Sequence, residues 1–495
     1  KNIFGEDTPS TGTTIYEYYQ DRTGPHHIFG ELKKVSGSSV NSGTDIWGGK
    51  YVTTSTTIYI IIHNRAFAKE VYSVTKGENL FGETYTTTST TKYEYYEGLG
   101  PNKGVYGELK SATGSSTTTG TDIWGASYET KSTTDYTIIN NRAMATHVHA
   151  ETTGSNLFGE KYTTISDTDY TYEFAESSES AWTHGKIYKI ATAITYSTTT
   201  GTDIWGASYE TKSTTTYTII HNRALASVVT SHTTGSNLFG EIYTTDSTTT
   251  YEYHKGLGPH GVLGELMRAY TDSTTTGSDI WGASYVTTSH TEYTMIHNRA
   301  LAWKVDATTK GSNLFGESYT TTSRTEYEYY TETSGPNHVL GELKSAITAS
   351  TTQGTDIWGA SYVTISTTTY TTRHNRALAL EVKAHTEGFN LFGEEYITDS
   401  TTTYSYDANG TLTGATGDSK TTGTDLFGGD TVTESHTIYT IINNRAFASQ
   451  VITTASGKNL FGEDISSTGT TTYEYYEGKG PRGTYGELKS ASGSS

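Results

Sequence analysis

Along most of the chain, Thr or Ser alternates with Tyr, Ile or Val, the period of two that a half-buried strand produces. The stretch from Gly201 to Ala226, GTDIWGASYETKSTTTYTIIHNRALA, is the fullest example. It recurs at Gly43, Gly120, Gly277, Gly354 and, as GTDLFGG, at Gly423. The pattern predicts three short strands per coil: Ala207–Lys212, Thr215–Ile220 and, after a turn at His221-Asn222, Ala224–Thr230. The turn always places Asn before Arg: Asn64-Arg65, Asn141-Arg142, Asn222-Arg223, Asn298-Arg299, Asn375-Arg376 and Asn444-Arg445. Asn tolerates positive φ, which tight hairpins require. A second coil type has a longer hairpin loop, as in Tyr95–Pro101, and returns through Gly107-Glu108-Leu109-Lys110. Its Gly-Pro step recurs at Pro25, Pro259, Pro336 and Pro481. With Pro9 and Pro101 these are all six prolines, so none falls inside a strand.

The second coil type opens with NIFGE at Asn2 and with NLFGE at Asn79, Asn156, Asn237, Asn313, Asn390 and Asn459. Aligning Trp205-Gly206 with Phe239-Gly240 brings Tyr209 onto Tyr243, Ser213 onto Ser247 and Tyr217 onto Tyr251. From each GTDIWG-type ring to the next NLFGE ring is 34 residues in all six cases, whereas the return step varies from 35 to 47. A step that never varies reads as one rung of a stacked scaffold, and the variable step as a rung plus a loop. The chain is then one continuous array over residues 1–495, about thirteen coils long. Its double repeats start near residues 2, 79, 156, 237, 313, 390 and 459. The expected fold class is all-β, a tandem-repeat β-solenoid or β-hairpin spiral. The alternative is a β-propeller of about six blades, which would need blades longer than the ~40–50 residues usual for such repeats. Two stretches depart from the pattern: Glu173–Ile190, which contains Trp182, and Tyr404–Thr413. Both fall in the third member of a triplet of double repeats. The beginning and end of the sequence also resemble each other, which suggests a segment of a longer array or a subunit with like-facing ends.

Composition sharpens this reading. Hydrophobic residues are 33% of the chain, with 52 Gly and 40 Tyr making up strand-forming but aliphatic-poor material. That favours thin sheets over a thick globular core. The formal net charge of −19 lacks the basic footprint of a nucleic-acid binder. With no Cys, disulfides and thiolate metal sites are excluded. No apolar run reaches the ~18 residues of a helical membrane span.

The segment Tyr404-Ser405-Tyr406-Asp407-Ala408-Asn409-Gly410-Thr411-Leu412-Thr413 resembles the YD (RHS-type) repeat, roughly Y-x-Y-D-x-x-G-x-L-x. The resemblance covers about ten residues. Other coils replace Asp-x-x-Gly with His-Asn-Arg-Ala or the Gly-Pro loop. The resemblance implies a secreted or surface β-hairpin spiral, and only the hairpin is carried over.

Candidate chemistry reduces mostly to repetition. Asp45, Asp122, Asp203, Asp279, Asp356 and Asp425 precede the rings, with Asn at the sister positions, and read as Asx-turns. Calcium between coils is the competing reading, but it needs six to eight oxygens. Glu83, Glu160, Glu241, Glu317, Glu394 and Glu463 recur once per double coil. So do Arg65, Arg142, Arg223, Arg299, Arg376 and Arg445, which makes registered charge-paired rows between coils the expectation. Catalysis would use a unique pair, not a row. His63, His221, His297 and His374 resemble a metal row, yet Asn140 and Asn443 stand at the same position. That argues for a turn residue instead of a ligand. Trp47, Trp124, Trp205, Trp281, Trp358 and Phe427 alternate with Phe81, Phe158, Phe239, Phe315, Phe392 and Phe461. These rings are expected to stack inward, with the following Gly allowing close backbone approach. Thr runs such as Thr86–Thr91 suit the solvent face of strands, O-glycan acceptors, or a water-ordering ice-binding array. The one sequon makes Asn409 a candidate N-glycan acceptor.

No hydrolase, zinc-protease, P-loop or dinucleotide fingerprint is present. The sequence therefore points to a non-enzymatic extracellular or cell-surface structural protein without cofactor. Its expected partner is itself, as a homopolymer, with glycans next and no nucleic acid. A carbohydrate-binding adhesin using the Gly-Pro loops or Trp182 is the second reading, and an ice-binding solenoid the third.

Overall fold

A computed structural model describes residues 9–44, 49–79, 82–101, 104–122, 125–156, 159–175, 187–203, 206–279, 282–332, 334–336, 338, 340–424, 428–458, 462–481 and 483–495. These residues contain no helix; they form 26 strands of one sheet. The first eight are β1 (Ser10–Tyr18), β2 (Leu32–Thr44), β3 (Lys50–Ile62), β4 (Arg65–Glu78), β5 (Thr84–Tyr95), β6 (Leu109–Thr121), β7 (Ser127–Ile139) and β8 (Arg142–Ser155). Next come β9 (Lys161–Ala175), β10 (Ile187–Thr202), β11 (Ser208–Ile220), β12 (Arg223–Ser236), β13 (Ile242–Tyr253), β14 (Leu266–Ser278), β15 (Ser284–Ile296), β16 (Arg299–Ser312) and β17 (Ser318–Tyr329). The last nine are β18 (Leu343–Thr355), β19 (Ser361–Arg373), β20 (Arg376–Phe389), β21 (Glu395–Tyr406), β22 (Leu412–Thr424), β23 (Asp430–Ile442), β24 (Arg445–Lys458), β25 (Asp464–Tyr475) and β26 (Leu488–Ser494). Consecutive strands pair antiparallel, as in β3 with β4 and β4 with β5. The chain divides into two compact units, residues 1–201 with 210–230 and 250–267, and residues 202–209 with 231–249 and 268–495.

The 34-residue step is a hairpin. β3 of 13 residues, a turn at His63-Asn64, β4 of 14 residues and a corner over residues 79–83 fill it. The variable step has the same plan with a longer loop, such as residues 96–108 between β5 and β6. This corrects the expectation of three short strands per coil. Ser213-Thr214 carries neither Gly nor Pro, so nothing stops β11 there, and it runs unbroken from Ser208 to Ile220. Antiparallel pairing from one strand to the next also sets aside the propeller, whose blades are separate four-stranded sheets.

Each two-residue turn holds both central residues at positive φ: His63 at 47° with Asn64 at 59°, and Asn443 at 48° with Asn444 at 64°. That is the type I′ geometry whose twist matches the flanking strands. The shared demand for positive φ explains why His and Asn interchange at the first position. Below each turn a bulge inserts one residue, Lys69 in β4 and Trp303 in β16, between otherwise continuous registers.

Mid-strand, the register lines up identical side chains. Ser39, Ser55, Ser73, Ser89, Ser116 and Ser132 face one another across successive strands. Their hydroxyls bond in pairs, Ser55 to Ser73 at 2.9 Å and Ser116 to Ser132 at 2.8 Å. In the second unit Ser273 bonds Ser289 and Ser350 bonds Ser366, each at 2.7 Å. Two residues along, Thr does the same: Thr53 with Thr75, Thr130 with Thr152 and Thr287 with Thr309, all at 2.8 Å. In β3 these residues lie on the half-buried face, whereas Lys50, Val52, Thr54, Thr56 and Ile58 between them are exposed. The covered face is thus a polar one, viable because each hydroxyl finds another.

Near the corner end the covered face alternates Tyr with Gly. Tyr51 lies over Gly43, Tyr85 over Gly77, Tyr128 over Gly120 and Tyr362 over Gly354, each on the partner strand. A side chain at any of these glycines would occupy the ring's place. The dry core lies at the other end. Ile62, Ile296 and Ile442 stand just before turns. Leu109, Leu343 and Leu412 open return strands, and Ala112, Ala346 and Ala415 follow three residues later; all are buried.

Gly120→Ala is expected to push Tyr128 off its seat and cost about 1–3 kcal/mol. Gly98→Ala, with open space around its α-carbon, should leave stability unchanged. Urea midpoints of the two variants check this.

Candidate functional site

The polar contacts that go beyond the strand ladder lie at the hairpin ends and on the exposed face. At the turn end, the Asn of each two-residue turn reaches the preceding hairpin. Asn64 Oδ1 accepts from the Leu32 amide at 2.6 Å, Asn141 from Leu109 at 2.5 Å, Asn375 from Leu343 at 2.5 Å and Asn444 from Leu412 at 2.6 Å. Those Leu residues sit beside the bulge that opens each return strand. A second link runs the same way. The Tyr95 hydroxyl donates to the Ala68 carbonyl at 2.9 Å, Tyr172 to Ala145 at 2.6 Å, Tyr329 to Ala302 at 2.7 Å and Tyr475 to Ala448 at 2.9 Å. Ala68 adjoins the bulged Lys69, so the phenol bonds a carbonyl at the break in the ladder. Burial raises the phenol pKa in this group: Tyr253 and Tyr329 are pushed up to about 12.

The long loops are organised by a buried carboxylate that sequence reasoning passed over. Glu31, Glu108, Glu265 and Glu342 of the Gly-Glu-Leu triplets are the buried charged residues among those described. Glu31 accepts from the His26 amide at 3.1 Å and from its ring, and Glu265 accepts likewise from His260. The imidazole bonded to it holds Glu31 below the usual carboxylate range. In the fifth such loop Glu487 accepts from the Thr484 amide at 3.0 Å and hydroxyl at 2.8 Å. The Gly before each Pro packs on this carboxylate, as Gly100 does on Glu108 and Gly335 on Glu342. The recurrence of Gly-Pro some five to eight residues before Gly-Glu-Leu was the available signal.

At the corner end, Asp or Asn closes an Asx-turn. Asp122 Oδ1 accepts from the Ala126 amide at 2.8 Å, and Asp356 Oδ1 accepts from Trp358 at 2.9 Å and Ala360 at 2.8 Å. The corner Glu residues also bond within their own corners. Glu83, Glu160, Glu241, Glu317 and Glu394 accept from the Asn side chain four residues earlier in their own corners. Arg65 and Glu83 lie at opposite ends of one hairpin, roughly 40 Å apart at about 3.3 Å per residue. One cross-pair does appear in the second unit, Arg445 Nη1 at 3.9 Å from Glu241 Oε1. Here Arg445 lies 4.0 Å over the Phe239 ring, and Phe239 stands 5.9 Å from Phe447. The corner feeding β13 and strand β24 are eleven strands apart, about 50 Å in a flat sheet at about 4.8 Å per strand. Within this unit the sheet therefore curves to bring them together.

The rings themselves correct the inward expectation. Phe315 is 72% exposed, Trp358 66% and Phe392 69%. The Gly after each has φ of +88°, +98° and +82°, so it serves the left-handed step of the corner, and at Gly316 the Ile357 side chain also packs close. A ring in the corner lies beyond the last strand pair. Phe239 is half-buried under Arg445. Trp47, Trp124, Trp205, Trp281, Phe427, Phe81, Phe158, Phe461, Asp45, Asp425 and Trp182 lie outside the described residues. All six turn arginines are exposed, and Asn409 is exposed in the five-residue loop between β21 and β22.

On the exposed face, His and Asp pair across strands. His147 meets Asp169 at 2.8 Å, His149 meets Asp167 at 2.8 Å, His290 meets Asp272 at 2.7 Å, His385 meets Asp399 at 2.7 Å and His436 meets Asp418 at 2.7 Å. The bonded carboxylates raise the His147 and His385 pKa values. An open hollow of about 810 Å³ in the second unit is lined by Lys383, His385, Asp399, Asp418, Lys420 and Glu434. These groups are already matched in sign: Lys420 pairs with Glu434 at 3.1 Å and Lys383 with Glu381 at 2.9 Å. Among the described residues no three His, Asp or Glu converge as metal ligands. No protein-family model matches the chain, and no curated protein matches it in sequence.

Raised phenol pKa values mean that the unfolded chain ionises first at high pH. Stability from Tyr253 and Tyr329 is complete below pH ~10 and is lost as pH rises toward about 12. Phenolate absorbance should show a fraction of tyrosines titrating late, together with loss of sheet signal. For His385 and His147, NMR titration should give midpoints above the ordinary 6.5. Substituting Asp399→Asn should bring His385 back toward it.

Proposed function

We propose that this chain is an extracellular structural repeat protein that builds a fibre, filament or surface layer through stacking of its hairpins and end-to-end assembly. The observation that carries this reading is the sameness of its polar contacts. The Asn-to-Leu bond spans 32 residues and the Tyr-to-Ala bond 27 at hairpin after hairpin. A catalytic or ligand site needs one asymmetric constellation. A contact set repeated without variation supports regular geometry over length. On this reading the chain works without a cofactor, its main partner is itself, and the hairpin at Tyr404–Thr413 ties it to surface proteins of YD type. The exposure of Trp358 favours carbohydrate adhesion as the second reading, since an outward indole suits stacking on a sugar ring. The ice-binding reading is weaker, because the inner Thr row bonds to itself instead of offering hydroxyls to water.

Electron microscopy of native material should show filaments or a regular layer, and discrete short particles would overturn the assembly reading. Glycan-array binding that disappears in Trp358→Ala would move the adhesin to first place.

A further inference from the structure

Among the described residues of the second unit, a corner is seated on a turn. Asn237-Leu238-Phe239-Gly240-Glu241 places its Phe ring under the Arg445 guanidinium at 4.0 Å and against Phe447 at 5.9 Å, with Glu241 facing Arg445 at 3.9 Å. The receiving patch is built from the bottom up. Arg445 leans on Phe447 at 6.0 Å, Phe447 rests on Tyr475 at 5.1 Å, and Gly486 leaves the space that Phe447 fills.

The first unit carries the twin of that patch. Asn64-Arg65-Ala66-Phe67-Ala68 repeats Asn444-Arg445-Ala446-Phe447-Ala448 residue for residue. Arg65 leans on Phe67 at 5.7 Å, Phe67 rests on Tyr95 at 5.1 Å, and Gly107 leaves its space. Arg65 is exposed. Of the five further NLFGE copies, Asn313-Leu314-Phe315-Gly316-Glu317 and Asn390-Leu391-Phe392-Gly393-Glu394 lie wholly within the described residues. Their Leu and Phe side chains are exposed. Each Glu is held in place by its own Asn, as Glu241 is by Asn237.

We propose that the Phe315 corner or the equivalent Phe392 corner of one molecule docks on the Arg65–Phe67 patch of a second copy of this chain, one corner to a patch, in the geometry that Phe239 adopts on Arg445. The occupant follows from what sits on the twin patch: a Leu-Phe corner with an acidic residue beside it. The chemistry matches on each count. An exposed ring gains burial and a cation over its face. The corner Glu meets a guanidinium of opposite charge. Corner and turn are different surfaces, so the contact is heterologous and can propagate from copy to copy. This inference deepens the assembly reading and rests on it.

Two variants test it by sedimentation velocity on the purified chain. Phe315→Arg combined with Phe392→Arg removes the corners, and Arg65→Glu removes the patch. The unmodified chain should show a mass rising above 53.8 kDa with concentration. Each variant alone should stay monomeric at tenfold higher concentration. An equimolar mixture should stop at complexes of two or three chains, because each partner supplies the surface the other lacks and a chain has two corners but one patch. Variants that associate like the parent, or a mixture that stays monomeric, would sink the docking contact while leaving assembly by another route in place. A parent chain that is monomeric throughout would also overturn the contact. The assembly reading itself would then fall only if native material lacked filaments. All three positions are exposed, and matching thermal melts verify folding; should Arg65→Glu melt early, Arg65→Ala takes its place in the same mixing test.

Discussion

A side-chain amide that bonds a backbone amide of the previous hairpin organises this protein. The Asn of each two-residue turn adopts positive φ to make the turn, and that geometry aims its carbonyl oxygen at the Leu amide beside the neighbouring bulge. One residue thus fixes the turn and the distance to the next hairpin. The Tyr-to-Ala bond closes the alternate junctions, from each long-loop hairpin back to the turn hairpin before it. Between them they bond backbone groups that a bulge leaves outside the ladder, which would be costly to bury unpaired. Both bonds end on a different hairpin, so no hairpin is complete alone. Stability therefore accumulates from neighbour contacts, as in other linear arrays.

This division of labour explains the odd composition. Aliphatic burial is concentrated in a strip near the turns, formed by Ile62, Leu109, Ala112 and their repeats. The middle of the sheet is covered by Ser, Thr and Tyr instead. A polar covered face is stable only when every hydroxyl has a partner at the right distance. In-register repetition supplies that by placing Ser opposite Ser and Thr opposite Thr. The exposed face follows the same logic with charge, pairing His with Asp and Lys with Glu across strands. Such surface pairs contribute little individually but suppress slippage, since a one-residue shift would turn every side chain to the wrong face.

Much of this was legible in the residues. Asn-Arg at a fixed place, prolines confined to loops and period-two alternation identify hairpins, and the constant 34-residue step gives their length. Asp and Asn before the rings form the expected Asx-turns. Other features were not legible. Gly after an aromatic fits both a close approach and a left-handed corner, and only the structure shows that Gly359 meets the second demand alone and Gly316 both. Glu at NLFGE and Arg at the turn share a period. A shared period cannot say which Glu meets which Arg, as Glu241 meets Arg445 eleven strands away.

The sequence by itself determined the local conformation: that the chain is built of strands, where it reverses at the turns and the two-residue alternation of faces along each strand. Those properties depend on φ preferences and on a two-residue period, both of which are written in adjacent residues. Tertiary structure decided which repeated side chains meet. The burial of Glu31, the seat of Tyr128 on Gly120, the outward turn of Phe315 and the cover that Arg445 gives Phe239 all depend on register between strands and on curvature of the sheet. Register and curvature arise from contacts distant in sequence, and a repeat makes every candidate partner look alike until one geometry is chosen.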